Sequence, residues 1–320
     1  MAHDAEQTPP LHMGLPLPNG KLALWIFLVT EITFFTAIIG TYMLLRNGQP
    51  SRAAPWPSPT DVHLSEFIGA FNTFVLICSS LTVVLCHWCL HEARSKQGAD
   101  RQALVRKAVM YLGVTLALGC VFLVVKAFEY KAKIDHQILP GRIFELKTEN
   151  ASSYRFVRVV KEQLEHLVKD GPENTEHQKA MKQRAGQLLA DINAGKLSPK
   201  EVNERIVGTK NVKPVDMPKK APGAAEVKGV LQKEDGTLDT GVHLTYSIPY
   251  GNLWASCYFA MTGFHALHVL GGLVIFAIYL IAALFGKFGP ESELSIELTG
   301  LYWHFVDIVW IFLFPLLYLV

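Results

Sequence analysis

The final 23 residues, Leu298 to Val320, constrain the fold of this chain more than any other stretch. They are almost wholly apolar and carry one formal charge, on Asp307. Because an α-helix rises about 1.5 Å per residue, a helix of this length crosses the roughly 30 Å hydrocarbon core of a bilayer. A carboxylate in mid-membrane costs about 3 kcal/mol, so Asp307 should face protein or water, with His304 one helical turn away on the same face.

Four other apolar blocks are also long enough to span a membrane. They comprise residues 22–45, 67–90, 108–125 and 253–285. The 320-residue chain is 50% hydrophobic and only 18% charged, a composition typical of membrane proteins. The sequence therefore predicts an all-α, polytopic membrane protein with a bundle of five transmembrane helices, in which the polar stretch 92–107 is a loop.

Basic residues in the short connecting segments predict the orientation of the bundle. Five lysines and arginines follow the second block, whereas the short loop before that block has Arg46 and Arg52. We therefore expect a cytoplasmic N-terminal segment, residues 1–21, and a C-terminus outside, in a bacterial inner membrane. Transmembrane helices 1–3 then occupy residues 22–133, and helices 4–5 occupy residues 253–320.

A long polar insertion, residues 134–252, separates the third block from the fourth. It contains 18 of the chain's 30 lysines and arginines, and the predicted orientation places it outside, in the periplasm. Apolar residues recur in it at helical spacing, so we expect a mainly helical, extramembrane domain for docking or packing. Two capped helix starts and one hairpin turn are indicated, at Thr175 to Gln178, Ser198 to Glu201 and Asp235-Gly236.

Composition and motifs exclude several kinds of function. A net charge of +2, without basic clusters that alternate with aromatic residues, argues against nucleic acid as a partner. The segment Cys86-His87-Trp88-Cys89 lacks the following histidine that haem attachment needs, and no second cysteine pair exists for zinc. No phosphate loop or nucleophile elbow is present. We therefore predict neither a catalytic site nor a metal site within this chain.

Glu31 is the single charged residue in the first apolar block. Desolvation in a membrane disfavours the ionised carboxylate, so a glutamate here is protonatable and can exchange protons or anchor a polar network. The alternative is a buried acid that is hydrogen-bonded for packing alone, and the residue pattern favours neither interpretation.

His265 and His268 lie one helical turn apart in the fourth block, which raises the question of haem binding. The two axial ligands of one haem stand on opposite sides of the iron, so each histidine would need a partner such as His87 or His304. Histidines bonded to carbonyls or carboxylates of other helices are the other interpretation.

The predicted interhelical polar network comprises His265, His268, His304, Asp307 and Glu129. Glu129 with Lys126 is also consistent with an interfacial ion pair.

Four parts of the sequence carry recognisable motifs. The segment from Trp25 to Phe35, which includes Glu31, is similar to W-x-F-L-x-S-E-x-x-F-F, with threonine in place of the serine. Asn72 to Ser80 is similar to L-N-T-x-x-L-L-x-S-S/G, and Phe128-Glu129-Tyr130 matches an aromatic-Glu-Tyr helix end. The last two blocks are similar to F-x-x-T-G-F-H-x-x-H-V-x-x-G and Y-W-H-F-V-D-x-V-W. Together these motifs resemble subunit III of the haem-copper terminal oxidases, the cytochrome c oxidase subunit 3 family.

The resemblance implies a five-helix short form of subunit III with an unusually long insertion. It implies a redox-inactive core subunit of a proton-pumping oxidase in aerobic respiration, with haems and copper in partner subunits I and II. It also implies that the chain stabilises subunit I, binds phospholipids and supports proton uptake, through Glu31, or oxygen access. Two alternatives stay open: a related subunit of a quinol oxidase or nitric oxide reductase, and an independent membrane haem protein or proton-coupled carrier.

Overall fold

The computed structural model describes residues 19–48, 56–59, 61–146, 151–173, 175–208, 228–233, 236–239, 242 and 244–319. Within these ranges the chain forms eight α-helices and no strand. The helices are α1 (Asn19–Asn47), α2 (Glu66–Ser95), α3 (Gly98–Asp135), α4 (Ala151–Asp170), α5 (Glu176–Asn193), α6 (Pro199–Val207), α7 (Gly251–Leu284) and α8 (Glu293–Phe314). A 3-10 turn, Pro290–Ser292, precedes α8, and a π-helical turn, Pro315–Leu319, follows it. The predicted N-terminal segment lies outside the described residues, apart from residues 19–21, which begin α1.

Five of these helices are long and apolar enough to cross a membrane: α1, α2, α3, α7, and α8 with its flanking turns. The prediction of an all-α, polytopic membrane protein is confirmed. In its most apolar window α8 is 50% buried inside the protein, whereas α1 is only 6% buried. The helix α8 therefore lies at the centre of the bundle, and most of α1 faces outward.

The helices α2 and α3 extend beyond the apolar blocks that predicted them. The sequence predicts a loop over residues 92–107, but α2 runs to Ser95 and α3 begins at Gly98. That prediction was wrong because lysine, arginine, glutamine and alanine are good helix formers, so charge marks the edge of the membrane rather than the end of a helix. The chain reverses at Gly98, whose φ of 61° is a conformation that glycine adopts without strain.

The buried indole of Trp303 joins α8 to three other helices. Its ring lies against two glycines, Gly272 on α7 and Gly119 on α3, and its Nε1 donates a hydrogen bond of 2.9 Å to the hydroxyl of Ser79 on α2. A Cβ added at Gly272 would lie 2.6 Å and 2.7 Å from carbons of the indole. Small residues of this kind let transmembrane helices approach one another closely.

Gly272→Ala is expected to lower the free energy of unfolding by about 1–3 kcal/mol, because the new methyl group overlaps an enclosed ring. The matched control is Gly40→Ala on α1, where a Cβ meets nothing within 4 Å. The control should be neutral or slightly stabilising, because alanine is the better helix former. Thermal unfolding in detergent compares the two variants, and equal midpoints would contradict this packing.

The insertion folds around a hydrophobic core of its own. Helices α4, α5 and α6 contact one another and bury apolar side chains that include Phe156, Leu188 and Ile206. Both predicted helix starts are confirmed, because the side chains of Thr175 and Ser198 each complete a capping box at the first turn of α5 and α6.

The predicted hairpin of the insertion is described in part. Asp235 lies outside the described residues, and the flanking residues Gln232 and Leu238 form a single antiparallel bridge.

Hydrogen bonds tie the insertion to the membrane helices. Asn252, at the start of α7, accepts a hydrogen bond from the backbone of Ile143 and donates one back to its carbonyl oxygen. The hydroxyl of Tyr246 donates to the carbonyl oxygen of Asp61, between α1 and α2, at 3.0 Å. Burial raises the pKa of Tyr246, with a further contribution from the charge of Asp61, so this phenol remains a donor at neutral pH. The side of the membrane on which the insertion lies stays a prediction.

Candidate functional site

Glu31 and His268 form a pair between α1 and α7. Oε2 of Glu31 lies 2.9 Å from Nε2 of His268, and the side chains are 20% and 18% exposed. The other ring nitrogen, Nδ1, lies 2.7 Å from the carbonyl oxygen of Phe264, one turn earlier in α7. Tyr302 on α8 donates its hydroxyl to the carbonyl oxygen of His268 at 2.9 Å. Two of the predicted site residues therefore lie in one group that joins three helices.

The geometry of this pair restricts where its protons lie. A carbonyl oxygen only accepts hydrogen bonds, so Nδ1 of His268 carries a hydrogen and donates it to Phe264. Nε2 then either accepts a hydrogen from a protonated Glu31 or, as part of an imidazolium, donates one to the ionised carboxylate. In either of these two states the Glu31–His268 pair shares one proton between the carboxyl group and Nε2, an arrangement that is suited to proton exchange.

His304 and Asp307 lie on the side of α8 that faces α2, around Ser80. Nδ1 of His304 makes a short contact with the hydroxyl of Ser80 on α2. Asp307 is 4% exposed, and neither of its oxygens has a hydrogen bond of ordinary geometry within the described residues. Ser80, which was not predicted as a site residue, therefore contacts one that was.

Glu129 belongs to a different group, near the end of α3 that leads into the insertion. Nζ of Lys126 lies 3.0 Å from Oε1 of Glu129, and the side chains are only 4% and 10% exposed. The hydroxyl of Tyr318 donates to Glu129, at 2.7 Å and 2.8 Å from its two oxygens, and Tyr258 also donates to this carboxylate. The Lys126–Glu129 pair is thus enclosed by protein on several sides rather than exposed at a membrane surface.

His265 stands apart from these three groups. It is 1% exposed, and its imidazole packs against Phe122 on α3 and Trp310 on α8, with ring centroids 5.6 Å and 5.1 Å apart. Neither ring nitrogen has a hydrogen-bond partner in the part of the chain that the structure describes. The predicted polar residues are therefore distributed among separate groups. His265 lies against α3 and α8, whereas His268 lies against α1 and α8.

Several residues of these groups were not singled out by sequence reasoning. Tyr258, Tyr302 and Tyr318 donate to Glu129 or to the backbone of His268, and no local pattern marks a tyrosine that reaches across to another helix. The spacing of Lys126 and Glu129 did indicate their contact. Among the described residues, no three histidine, cysteine, aspartate or glutamate side chains are grouped so that they could hold a metal ion.

The fold and these groups define a class: polytopic, all-α membrane proteins whose helices are joined by buried protonatable side chains. Residues 242–320, which contain α7 and α8, match the family described as Cytochrome c oxidase subunit III. The resemblance inferred from the sequence motifs is thereby confirmed for this part of the chain. The matched part holds the predicted site residues of α7 and α8, whereas Glu31 and Glu129 lie outside it.

Individual relatives are similar to this chain over a limited region. The cytochrome c oxidase subunit 3 of Synechocystis sp. is 48% identical over 69 residues, which are 21% of this chain and 30% of that protein. The probable cytochrome c oxidase subunit 3 of Nocardia farcinica is 46% identical over 67 residues, 21% of this chain and 33% of the relative. The probable cytochrome c oxidase subunit 3 of Mycobacterium bovis is 43% identical over 74 residues, which are 23% of this chain and 36% of that protein. The match thus spans about a third of the length of these relatives.

Proposed function

We propose that this chain is the subunit III of a haem-copper terminal oxidase, and a redox-inactive core subunit of that complex. The observation that carries the proposal is the match of residues 242–320 to the subunit III family. In this proposal the haems and copper belong to partner subunits I and II, and oxygen is reduced there. Bound phospholipids and a path for oxygen between the helices are part of the same proposal.

The Glu31–His268 pair supports a role in proton uptake. It lies between α7 and the peripheral helix α1, close to the surface on which lipid or another chain packs. A pair that carries one exchangeable proton in such a place can pass it to a neighbouring group or replenish it from one, as general acid–base chemistry requires. The proposed contribution of this chain is therefore proton exchange beside the catalytic subunit, without an active site of its own.

The outward face of α1 supports a contact with subunit I. This face carries large apolar side chains that are 49% to 62% exposed: Trp25, Ile26, Val29 and Ile32. Because the main helix contacts of α1 in the described structure are with α7 and α8, a neighbouring subunit that covers this outward face would stabilise both chains. We place subunit I there and the lipids on the remaining apolar surface.

Affinity purification of the tagged chain in mild detergent, with mass spectrometry of the eluate, tests this proposal. We expect haem-copper subunits I and II to co-purify with the wild-type chain. Replacing Trp25 and Ile32 by alanine should reduce their recovery, whereas replacing Ile278 and Ile281, which are equally exposed on α7, should not. Eluates without a haem-copper subunit, or with a nitric oxide reductase subunit in its place, would refute the assignment.

A further inference from the structure

A cavity of about 180 Å³ lies between α2 and α8, near the start of α8. Most of its lining is apolar, from Val83 and Val84 on α2 and from Ile296 and Leu301 on α8. An engineered cavity of roughly 150 Å³ with apolar walls stays dry and binds benzene. This α2–α8 cavity therefore has room for one six-membered ring, and its walls favour an apolar one.

Two imidazoles interrupt the apolar lining, those of His87 on α2 and His304 on α8. Nδ1 of His304 contacts the hydroxyl of Ser80, and its Nε2 makes no hydrogen bond among the described residues. Nε2 of His87 is buried and likewise has no partner in the part of the chain that the structure describes. A hydrogen-bonding group that stays unpaired in an apolar cavity is costly. A ligand that brings an oxygen to one of these nitrogens removes this cost, whereas a hydrocarbon chain leaves it in place.

The α2–α8 cavity reaches from the charged end of α8 into its apolar part. Glu297, which lines the cavity, forms an ion pair with Lys21 at 2.6 Å. His304 lies seven residues further along α8, which is about 10 Å deeper because an α-helix rises about 1.5 Å per residue. The cavity is also open on one side, so an apolar tail on a bound ring can extend out of it. These features fit a lipophilic molecule with one polar atom on its ring.

We propose that the α2–α8 cavity binds a lipophilic ring that carries a hydroxyl or carbonyl oxygen, which is the chemistry of lipophilic phenols and quinones. The ring packs against Val84 and Leu301, and its oxygen forms a hydrogen bond with Nε2 of His304. An imidazole nitrogen donates to a carbonyl or, in the other tautomer, accepts from a hydroxyl, so both kinds of oxygen are compatible with this site. The ligand is bound without a chemical change. The hydrogen bond distinguishes this site from a surface that an acyl chain of a phospholipid covers.

The test is isothermal calorimetry on the full-length, delipidated protein in detergent, with each heat corrected for a titration into micelles alone. Three probes with the same tail are compared: para-decylphenol, decylubiquinone and decylbenzene, which has no oxygen. We expect at least one oxygen-bearing probe to bind about tenfold more tightly than decylbenzene, since one added hydrogen bond is worth about that factor. This advantage should disappear in His304→Phe, because phenylalanine keeps a ring at this position but offers no hydrogen bond.

A second pair of variants tests the place of binding without replacing a histidine. Val84→Phe adds a ring to the cavity wall and should abolish saturable binding of all three probes. Val124→Phe makes the same change on α3, outside the cavity, and should leave binding unchanged. The two valines are 46% and 54% exposed, so both variants should fold.

Each outcome decides the proposal. Tighter binding of decylphenol identifies a hydroxyl as the recognised oxygen, and tighter binding of decylubiquinone identifies a carbonyl; either result, or both, supports the site. Equal affinity for decylbenzene and the oxygen-bearing probes would overturn it, as would the absence of saturable binding. If His304→Phe does not fold, equal affinities of the wild type and Val84→Phe would overturn it instead. The readout is binding to the full-length chain, so it is independent of the proposed role in an oxidase.

Discussion

Glu129→Gln is expected to lower the free energy of unfolding by about 3–5 kcal/mol, because it leaves the ammonium of Lys126 buried without a counter-charge. Lys126 is 3% exposed, and its Nζ lies 4.9 to 5.7 Å from the centroids of four aromatic rings. Cation–π attraction to these rings helps to hold the ammonium but is weaker than the charge of a carboxylate at 3.0 Å. Unfolding of the purified protein in detergent, by heat or by a denaturing detergent, measures the loss.

A double-mutant cycle separates the pair from other effects of the substitution. The variant Lys126→Met with Glu129→Gln should recover much of the lost stability, since replacing both members of a buried pair is far less costly than removing one. The matched control is the pair Lys179 and Glu176 on α5, which has the same spacing and a distance of 3.1 Å but is 58% and 91% exposed. Glu176→Gln should change stability too little to measure. Equal losses at Glu129 and Glu176 would contradict the burial of the first pair.

His268→Leu is expected to destabilise the protein by about 2–3 kcal/mol, because it leaves Glu31 in an apolar region without its partner. Glu31→Gln should unfold like the wild type, since an amide still forms a hydrogen bond with Nε2 of His268. In the assembled complex, however, Glu31→Gln should slow proton uptake or accelerate inactivation during turnover several-fold, because an amide cannot carry the exchanged proton.

Proton uptake, pumping and inactivation kinetics of the reconstituted complex measure this second effect. Glu162→Gln, an exposed glutamate of α4, makes the same chemical change far from the Glu31–His268 pair and should leave all three quantities unchanged. Kinetics of Glu31→Gln that match those of the wild type would disprove the proton role. Equal stabilities of His268→Leu and Glu31→Gln would disprove the pairing itself.

Features that depend on a few neighbouring residues were predictable from the sequence. The five spans follow from the length and hydropathy of the apolar blocks, and the starts of α5 and α6 follow from Thr175 with Gln178 and Ser198 with Glu201. The C-terminal end of α2 and the start of α3 were not predictable in the same way. Hydropathy reports the boundary of the membrane, whereas the helix continues as long as the residues favour it, as far as Ser95 in α2.

The partners of the site residues depend on contacts between distant parts of the chain. Glu31 could be recognised as a lone intramembrane carboxylate, but its contact with His268 joins positions 237 residues apart. Residues three apart on an α-helix point about 60° from each other. This offset is enough for His268 to meet a carboxylate of α1 while His265 meets aromatic rings of α3 and α8. Motif resemblance indicated which residues matter, and only the packing of the helices determines which of them meet.

We propose that this chain serves a haem-copper oxidase without holding the haem itself. A reduced-minus-oxidised absorption spectrum, recorded for the purified complex and for the chain separated from it, tests this most directly. We expect haem bands in the complex and none in the separated, folded chain. Haem retained by the separated chain would contradict it and would make His265 and His268 the first residues to replace.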